Sequence, residues 1–281
     1  MLAAMEADEA ERIFDEFAEA YRGFWGPLIA PASVRVLDDV EVPTREDVAF
    51  DLLDVGSGTG VLAIAAMERW AGARVVAIDP SGRMLELAEE EAQRRSPAYG
   101  QRLRTIIASA DRLPIADSSV DVAVSSFVIQ LVPNRAAALR EILRVLRPGG
   151  RFACITWQDD DSHFEPDDAF VDALDDLQII QPPDERDVHP YPSPRAAAAE
   201  FRRAGFRGVR AWRDVLEHRF TPESYLEMLE QWIDRELFAG LDEETRHQLR
   251  REALLRMRAL KPDAFVWRRP LVRAVGRRRG P

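Results

Sequence analysis

The order of hydrophobic and polar positions changes character along the chain. Residues 6–25 place Ile13, Phe14, Phe17 and Tyr21 on one side of an amphipathic helix, and a proline-bearing stretch follows to Pro43. From residue 49 short apolar runs alternate with helical periodicity. The runs predict strands at residues 49–55, 74–78, 103–108, 120–125 and 151–157, and the periodic stretches predict helices at 60–70, 82–95 and 135–146. This alternation is the signature of parallel strands joined by crossover helices, an α/β class. Arg147-Pro148-Gly149-Gly150 stops the third of these helices, because proline cannot continue it and glycine accepts a left-handed turn.

Residues 158–194 break the rhythm. They are rich in Asp and carry six prolines, which predicts a long, partly helical surface connection. A helix at 193–204 and a sixth strand at 209–220 follow. Thr221 is then an N-cap with Pro222 at the first helical position. The helix it opens has an apolar stripe of Tyr225, Leu229, Trp232, Ile233 and Leu237. A second helix from Asp242 lines up Leu249, Ala253, Met257 and Leu260 before a last strand at 265–276. Two helices inserted there can cap the sheet. The chain therefore divides into an N-terminal helical cap segment (1–48), a core (49–157) and a C-terminal part of the same domain (158–281) whose cap helices lie at about 221–261.

Composition narrows the function classes. With 46% hydrophobic residues in 281, a substantial core is expected. No run reaches the roughly 18 apolar residues of a membrane span, and the acidic start is not a signal peptide. A single cysteine, Cys154, excludes an intrachain disulfide and a cysteine-built zinc site, so the cytoplasm is the expected location. The net charge of −11 disfavours a nucleic-acid partner. Lys261 is the only lysine, so no P-loop precedes it.

Asp54-Val55-Gly56-Ser57-Gly58-Thr59-Gly60 follows one predicted strand and opens a helix. Glycines there let the backbone turn sharply and approach a ligand closely. Val61 stands where a dinucleotide fingerprint needs a further glycine. Asp79 ends the second strand, where a carboxylate can accept both hydroxyls of a ribose or cap the next helix. Together with Ala77-Ile78-Asp79-Pro80-Ser81, Met84-Leu85, Leu113-Pro114, Ser119-Val120-Asp121 and Leu146-Arg147-Pro148-Gly149-Gly150, this set resembles the ubiquinone/menaquinone-biosynthesis type of class I methyltransferase domain over most of residues 50–157. The resemblance implies a Rossmann-like, doubly wound, seven-stranded sheet with the last strand antiparallel. It also implies S-adenosylmethionine as methyl donor and S-adenosylhomocysteine as product.

Carried over residue by residue, the resemblance sets Gly56, Gly58 and Gly60, with Ser57 between them, against the methionine and ribose of the cofactor, and gives Asp79 the ribose. Asp54 supports the loop or meets the methionine ammonium. Pro80 and Met84 follow as further contacts. The family's acid four residues before the Leu-Pro pair is here Ser109, so the adenine contact falls to Ser109, to Asp111 or to the backbone of Ala110. Ser125 and the strand end that follows face the sulfonium, with Gln130 where relatives carry histidine; glutamine can orient a substrate but is not a base. Tyr21 either meets the methionine carboxylate or lines the methyl channel, unless Phe14, Phe17 and Tyr21 are a plain packed stripe. His163 is the candidate base. Asp159-Asp160-Asp161 is a solvated run and no metal is expected. The expected acceptor is a small or medium apolar molecule walled by Trp157, Phe164, Tyr225 and Trp232. The oligomeric state is open, a homodimer included.

Overall fold

In a computed structural model of the chain, residues 7–42, 48–182 and 188–280 are described, with side chains from residue 14 onward. The linker residue Pro43, the boundary before residue 48 and part of the 158–194 connection lie outside them. The seven strands are β1 (Phe50–Val55), β2 (Ala73–Asp79), β3 (Leu103–Ile107), β4 (Val120–Ser126), β5 (Leu146–Trp157), β6 (Arg207–Arg219) and β7 (Val266–Arg277). They form one sheet in the order β3-β2-β1-β4-β5-β7-β6. Strands β1 to β5 pair in parallel, and β7 runs antiparallel to both β5 and β6. The doubly wound sheet with an antiparallel last strand is thus as expected. The chain reverses its winding between β1 and β4, which makes the carboxyl edge of these two strands the natural crevice for a ligand.

Successive strand residues bury on opposite faces. Leu52, Val122, Val124, Ala153 and Ile155 join one cluster, while Leu53, Val120, Ala123, Phe152 and Cys154 join the other. Period-two alternation buried on both sides explains the near-continuous apolar runs of the sequence. On the first face lie α2 (Gly26–Ser33), α3 (Val61–Arg69), α7 (Glu165–Asp176) and the cap helices α9 (Pro222–Met228), α10 (Arg235–Gly240) and α11 (Glu243–Ala259). On the second lie α6 (Arg135–Val145) and α8 (Pro194–Ala204). Helix α1 (Ala7–Ala20) docks on α4 (Gly82–Arg95).

Three departures from expectation have local causes. The first helix does not give way to an irregular stretch. It passes through a π-helical turn, Tyr21–Trp25, into α2, where Pro27 occupies the first turn and Leu28, Ile29 and Ala32 are buried. Burial of that face outweighs Pro31 inside the helix. Helix α5 (Pro97–Arg102) was not expected, although Ser96 caps it ahead of Pro97 much as Thr221 caps α9 ahead of Pro222. Strand β5 begins before residue 151. The helix does stop at Val145, but its glycine turn is absorbed as a register shift between the Val120–Leu146 and Val122–Arg151 pairs, with Gly149 at φ +85°.

The 3-10 turn after α2 is tied to the far sheet edge by charge. The Arg273 guanidinium donates to Asp39 at 2.8 Å and to the Arg35 carbonyl at 2.6 Å, and reaches Asp214 at 3.3 Å; Arg273 and Asp39 are only 12% and 9% exposed. Burial pushes the Asp39 carboxyl up despite the guanidinium beside it. Removing one partner strands the other charge, which costs about 3–5 kcal/mol. Arg273→Met is therefore expected to lower the unfolding free energy measured by urea titration by about 3–5 kcal/mol. Pairing it with Asp39→Asn recovers most of the loss; no recovery in the double variant would mean the network contributes packing rather than charge pairing.

Candidate cofactor site

The parallel register ends the central strands at one level. Asp54 lies opposite Ala77 of β2 and Val124 of β4, and Asp79 opposite Ile107 of β3. The loop from Gly56 to Gly60 leaves β1 across this edge. The Ile78 carbonyl accepts both the Gly56 and Ser57 N–H groups, at 2.7 and 2.9 Å, which folds the loop back over β2. Gly56 (φ +69°) and Gly60 (φ +80°) hold left-handed conformations, and neither position has room for a side chain. A Cβ on Gly56 would collide with the Val128 methyls, and one on Gly60 would lie 2.8 Å from the Ala88 Cβ of α4. These glycines let loop and helices close on one another.

Among the described residues, two carboxylates meet here without a cation opposite them. Asp79 accepts the Gly58 N–H on one oxygen at 2.9 Å and the Ser81 N–H on the other at 3.0 Å. Burial still pushes its carboxyl up to about 6, with the two N–H groups working against the rise and Asp15 adding to it. Asp54 is 1% exposed, and among the described residues neither of its oxygens has a hydrogen-bond partner. Burial raises it to about 7; the Ala63 N–H dipole offsets only part of that and Asp79 adds a little. The Ser57 hydroxyl is likewise buried and unpartnered. Buried polar atoms are ordinarily satisfied, so an orphaned carboxylate and hydroxyl in one loop call for an external donor and acceptor.

The N-terminal helix closes over this edge. Asp15 accepts from the Ser81 hydroxyl at 2.5 Å and from the Arg83 N–H at 3.1 Å, at the positive end of α4. Ser81 in turn caps that helix through the Met84 N–H. Met84 and Leu87 pack with Ala18, Phe14 and Tyr21. The Tyr21 hydroxyl comes within 3.8 Å of where a Gly58 Cβ would sit, and burial, Asp79 and Asp54 together raise its pKa. The geometry thus gathers Asp54, Gly56, Ser57, Gly58, Gly60, Asp79, Met84 and Tyr21 at one place. The Ala108 N–H donates to the Asp79 carbonyl at 3.1 Å, so the half-exposed Ser109 and Asp111 and the buried Ala110 begin beside Asp79. Pro80 leads from Asp79 into the α4 cap.

Three predicted residues are engaged elsewhere. The Ser125 hydroxyl, fully buried, donates to the Val55 carbonyl at 2.8 Å and braces β4 against β1. Gln130 donates its amide to the Phe127 carbonyl at 2.6 Å and accepts from the Thr156 hydroxyl, so both ends of the side chain are used inside the fold. His163 is exposed and lies 2.8 Å from Asp168 on α7. Sequence reasoning set Phe127 and Val128 on the strand end after Ser125 and Asp15 on the opening helix, but gave none of the three the contact it makes here. The φ of +56° at Phe127 has no sequence signal, because a buried aromatic is not a left-handed residue by preference. Among the described residues no cluster of His, Cys, Asp or Glu is arranged to hold a metal ion, and no helix is long and apolar enough to cross a membrane.

Residues 53–154 match the family described as Methyltransferase domain. The ubiquinone/menaquinone biosynthesis C-methyltransferase of Nitrobacter hamburgensis is 30% identical over 70% of this chain and 83% of its own length. The protein of the same name from Brucella anthropi is 40% identical over 54% of this chain and 60% of its own. Among solved structures, the (4+2)-cyclase SpnF superposes with a TM-score of 0.64 at 14% identity, over 99% of this chain and 98% of that one. Phosphoethanolamine N-methyltransferase 2 of Haemonchus contortus, solved with phosphomonomethylethanolamine and S-adenosylhomocysteine, does so with 0.57 at 17% identity, over 99% of this chain and 61% of that one. The structural likenesses carry the fold, and the sequence likeness carries more: the chain belongs to the S-adenosylmethionine-dependent methyltransferase family that includes the ubiquinone/menaquinone biosynthesis C-methyltransferases.

Proposed function

We propose that the chain methylates a small or medium apolar acceptor with S-adenosylmethionine held against the glycine loop. The observation that carries this reading is the pair of orphaned groups in the loop. Among the described residues, the Asp54 carboxylate and the Ser57 hydroxyl are buried without hydrogen-bond partners, beside a glycine position that Val128 leaves no room to fill. An ammonium suits such a carboxylate, and the amino acid end of the donor brings one. Asp79 keeps a free lone pair on each oxygen for a ribose diol. Ser109, the Ala110 backbone or Asp111 supplies the adenine contact. Pro80 and Met84 line the wall on the α4 side, Ser125 braces the strand edge beneath, and Tyr21 covers the loop.

The donor supplies a methyl group already activated on its sulfonium, so the chain's own work is alignment and exclusion of water. Aromatic rings do both on the acceptor side. Trp25 stacks on Trp232 at 5.8 Å, Tyr21 meets Trp232 at 5.7 Å, and Trp157 lies 4.6 Å from Phe127 and 6.0 Å from Trp25. Phe164 and Tyr225 extend the wall into the cap at 5.0 Å. Such walls favour an uncharged, apolar acceptor. Residues 1–48 and about 221–261 then act as caps over the core at 49–157. Of the catalytic candidates, Tyr21 is the one beside the loop, while His163 and Gln130 have their partners elsewhere. The reaction therefore needs an acceptor that reacts without help from those two. An acidic chain in the cytoplasm acting on a small molecule rather than nucleic acid completes the reading.

A second reading is a donor-binding member that rearranges or cyclises its substrate. Two things favour it: the full-length likeness in fold to the cyclase SpnF, and the engagement of Gln130 and of the candidate base His163 with partners of their own. Release of S-adenosylhomocysteine in step with turnover separates the two, since only methyl transfer produces it.

Titration calorimetry with S-adenosylmethionine tests the site. Wild-type binding is expected, weakened about 10- to 100-fold by Asp79→Ala, the effect of losing hydrogen bonds to a charged group. Unchanged affinity in the variant would remove Asp79 from the site.

A pH prediction follows from the two carboxyls. Folded, they hold their protons up to about 6 and about 7, against about 4 when unfolded. Between those values the folded state binds more protons, so the stability of the ligand-free protein falls as pH rises from about 4 to about 7. The cationic donor favours the ionised forms, so its affinity rises over the same window. Melting curves without ligand and calorimetry at pH 5.5 and 8 check both slopes; a donor affinity independent of pH would mean that neither carboxylate faces it.

A further inference from the structure

We infer that Gln130 is a positioning residue for cofactor binding, acting through the left-handed turn at Phe127 that presses Val128 onto Gly56. The inference rests on the reading that the glycine loop holds the cofactor. Among the described residues, three other than glycine have positive φ: Ser118, Phe127 and Gln178. Phe127 alone of these is buried. It directly follows β4, the central strand at the switch point, where strained backbone commonly marks function.

An aromatic residue does not take this conformation unaided, and the surroundings over-determine it. The Phe127 N–H donates to the Ile155 carbonyl at 2.8 Å, the Phe127 ring lies 4.6 Å from Trp157, and the Phe127 carbonyl accepts from the Gln130 amide at 2.6 Å. Gln130 is 2% exposed. Its amide oxygen is held by the Thr156 hydroxyl on β5, and its backbone carbonyl accepts the His189 N–H at 2.8 Å from the returning connection. A fully satisfied, buried amide of this kind is rigid.

The consequence appears one residue on. With Phe127 left-handed, the Val128 methyls occupy the space that a Cβ on Gly56 would need. Val128 thereby sets the start of the loop whose Gly58 N–H reaches Asp79. If Phe127 relaxes to an extended conformation, Val128 leaves Gly56 and the loop loses its lateral support. Gln130 needs no contact with the cofactor to govern its binding in this way.

Titration calorimetry with S-adenosylhomocysteine, on the wild type and on Gln130→Leu, Phe127→Gly and the double variant, tests this. Glycine adopts the left-handed turn without help. Gln130→Leu is therefore expected to weaken binding about tenfold when Phe127 is present, the effect of losing one buried hydrogen bond, and by less than about threefold in the Phe127→Gly background. Melting temperatures of the ligand-free proteins serve as the control, because a purely structural glutamine would destabilise both backgrounds alike and show no such interaction in affinity. Should Gln130→Leu not fold, Gln130→Glu keeps the shape while turning an acceptor toward the Phe127 carbonyl, and is expected to weaken binding at least as much. An equal loss in both backgrounds, or none in either, overturns the inference. Failure of the wild type to bind is a different result, and overturns the cofactor reading itself.

Discussion

Two carboxylates kept from water at the ends of adjacent parallel strands, with no side-chain cation opposite among the described residues, are the constraint around which this fold is arranged. Burying a carboxylate is expensive unless hydrogen bonds or charge compensate it. Asp79 receives two backbone N–H groups, one from the glycine loop and one from the cap of α4. That compensation exists only while the loop crosses β2 and Ser81 begins a helix, so the loop, the helix start and the acid depend on one another. Asp54 has no hydrogen-bond partner among the described residues, and burial raises it to about 7. The site is thus left incomplete in a way that a cationic, hydrogen-bonding ligand completes.

The N-terminal segment and the cap meet over the same edge by different physics. Helix α1 is held by polar contacts at the start of α4, through Asp15 and through Glu19, whose carboxylate lies 2.5 Å from Arg83. Beyond it the contacts become aromatic. Trp25 and Trp232 stack, and each belongs to a π-helical turn, Tyr21–Trp25 and Leu229–Ile233. Such turns are uncommon and are frequent at functional sites. The segment thus has polar contacts at the start of α4 and aromatic ones toward the cap.

Much of the donor site was legible in the chain because its signals are local. A glycine loop bounded by a strand and a helix, and an acid closing the next strand, follow from backbone requirements within a few residues of each other. The expected adenine contact could be narrowed only to a short span, because Ser109, Ala110 and Asp111 offer three different chemistries. The acceptor side was harder to read. Gln130 stands where the resemblance leads one to expect histidine, which drew attention to its side chain as a substrate contact. Its partners, Phe127 and Thr156, lie on two different strand ends, and no sequence spacing reveals that its amide is already engaged. His163 looked eligible for its place after β5, yet its ring lies out on the surface beside Asp168.

The sequence by itself determined the strand and helix order, the glycine loop and its acids, because alternation of apolar residues, turn chemistry and caps act over short stretches of chain. It did not determine that β4 and β1 would flank one crevice, since right-handed crossovers fix the hand of each connection and leave the strand order open. Only the tertiary structure decided that Phe127 is left-handed, that Val128 lies on Gly56, that Ser125 is spent on Val55 and that Asp15 reaches Ser81. Each of these joins residues distant in the chain or forces a conformation against local preference. Packing and the need to satisfy buried polar groups settle such choices once the sheet has assembled, and no single stretch of sequence encodes them.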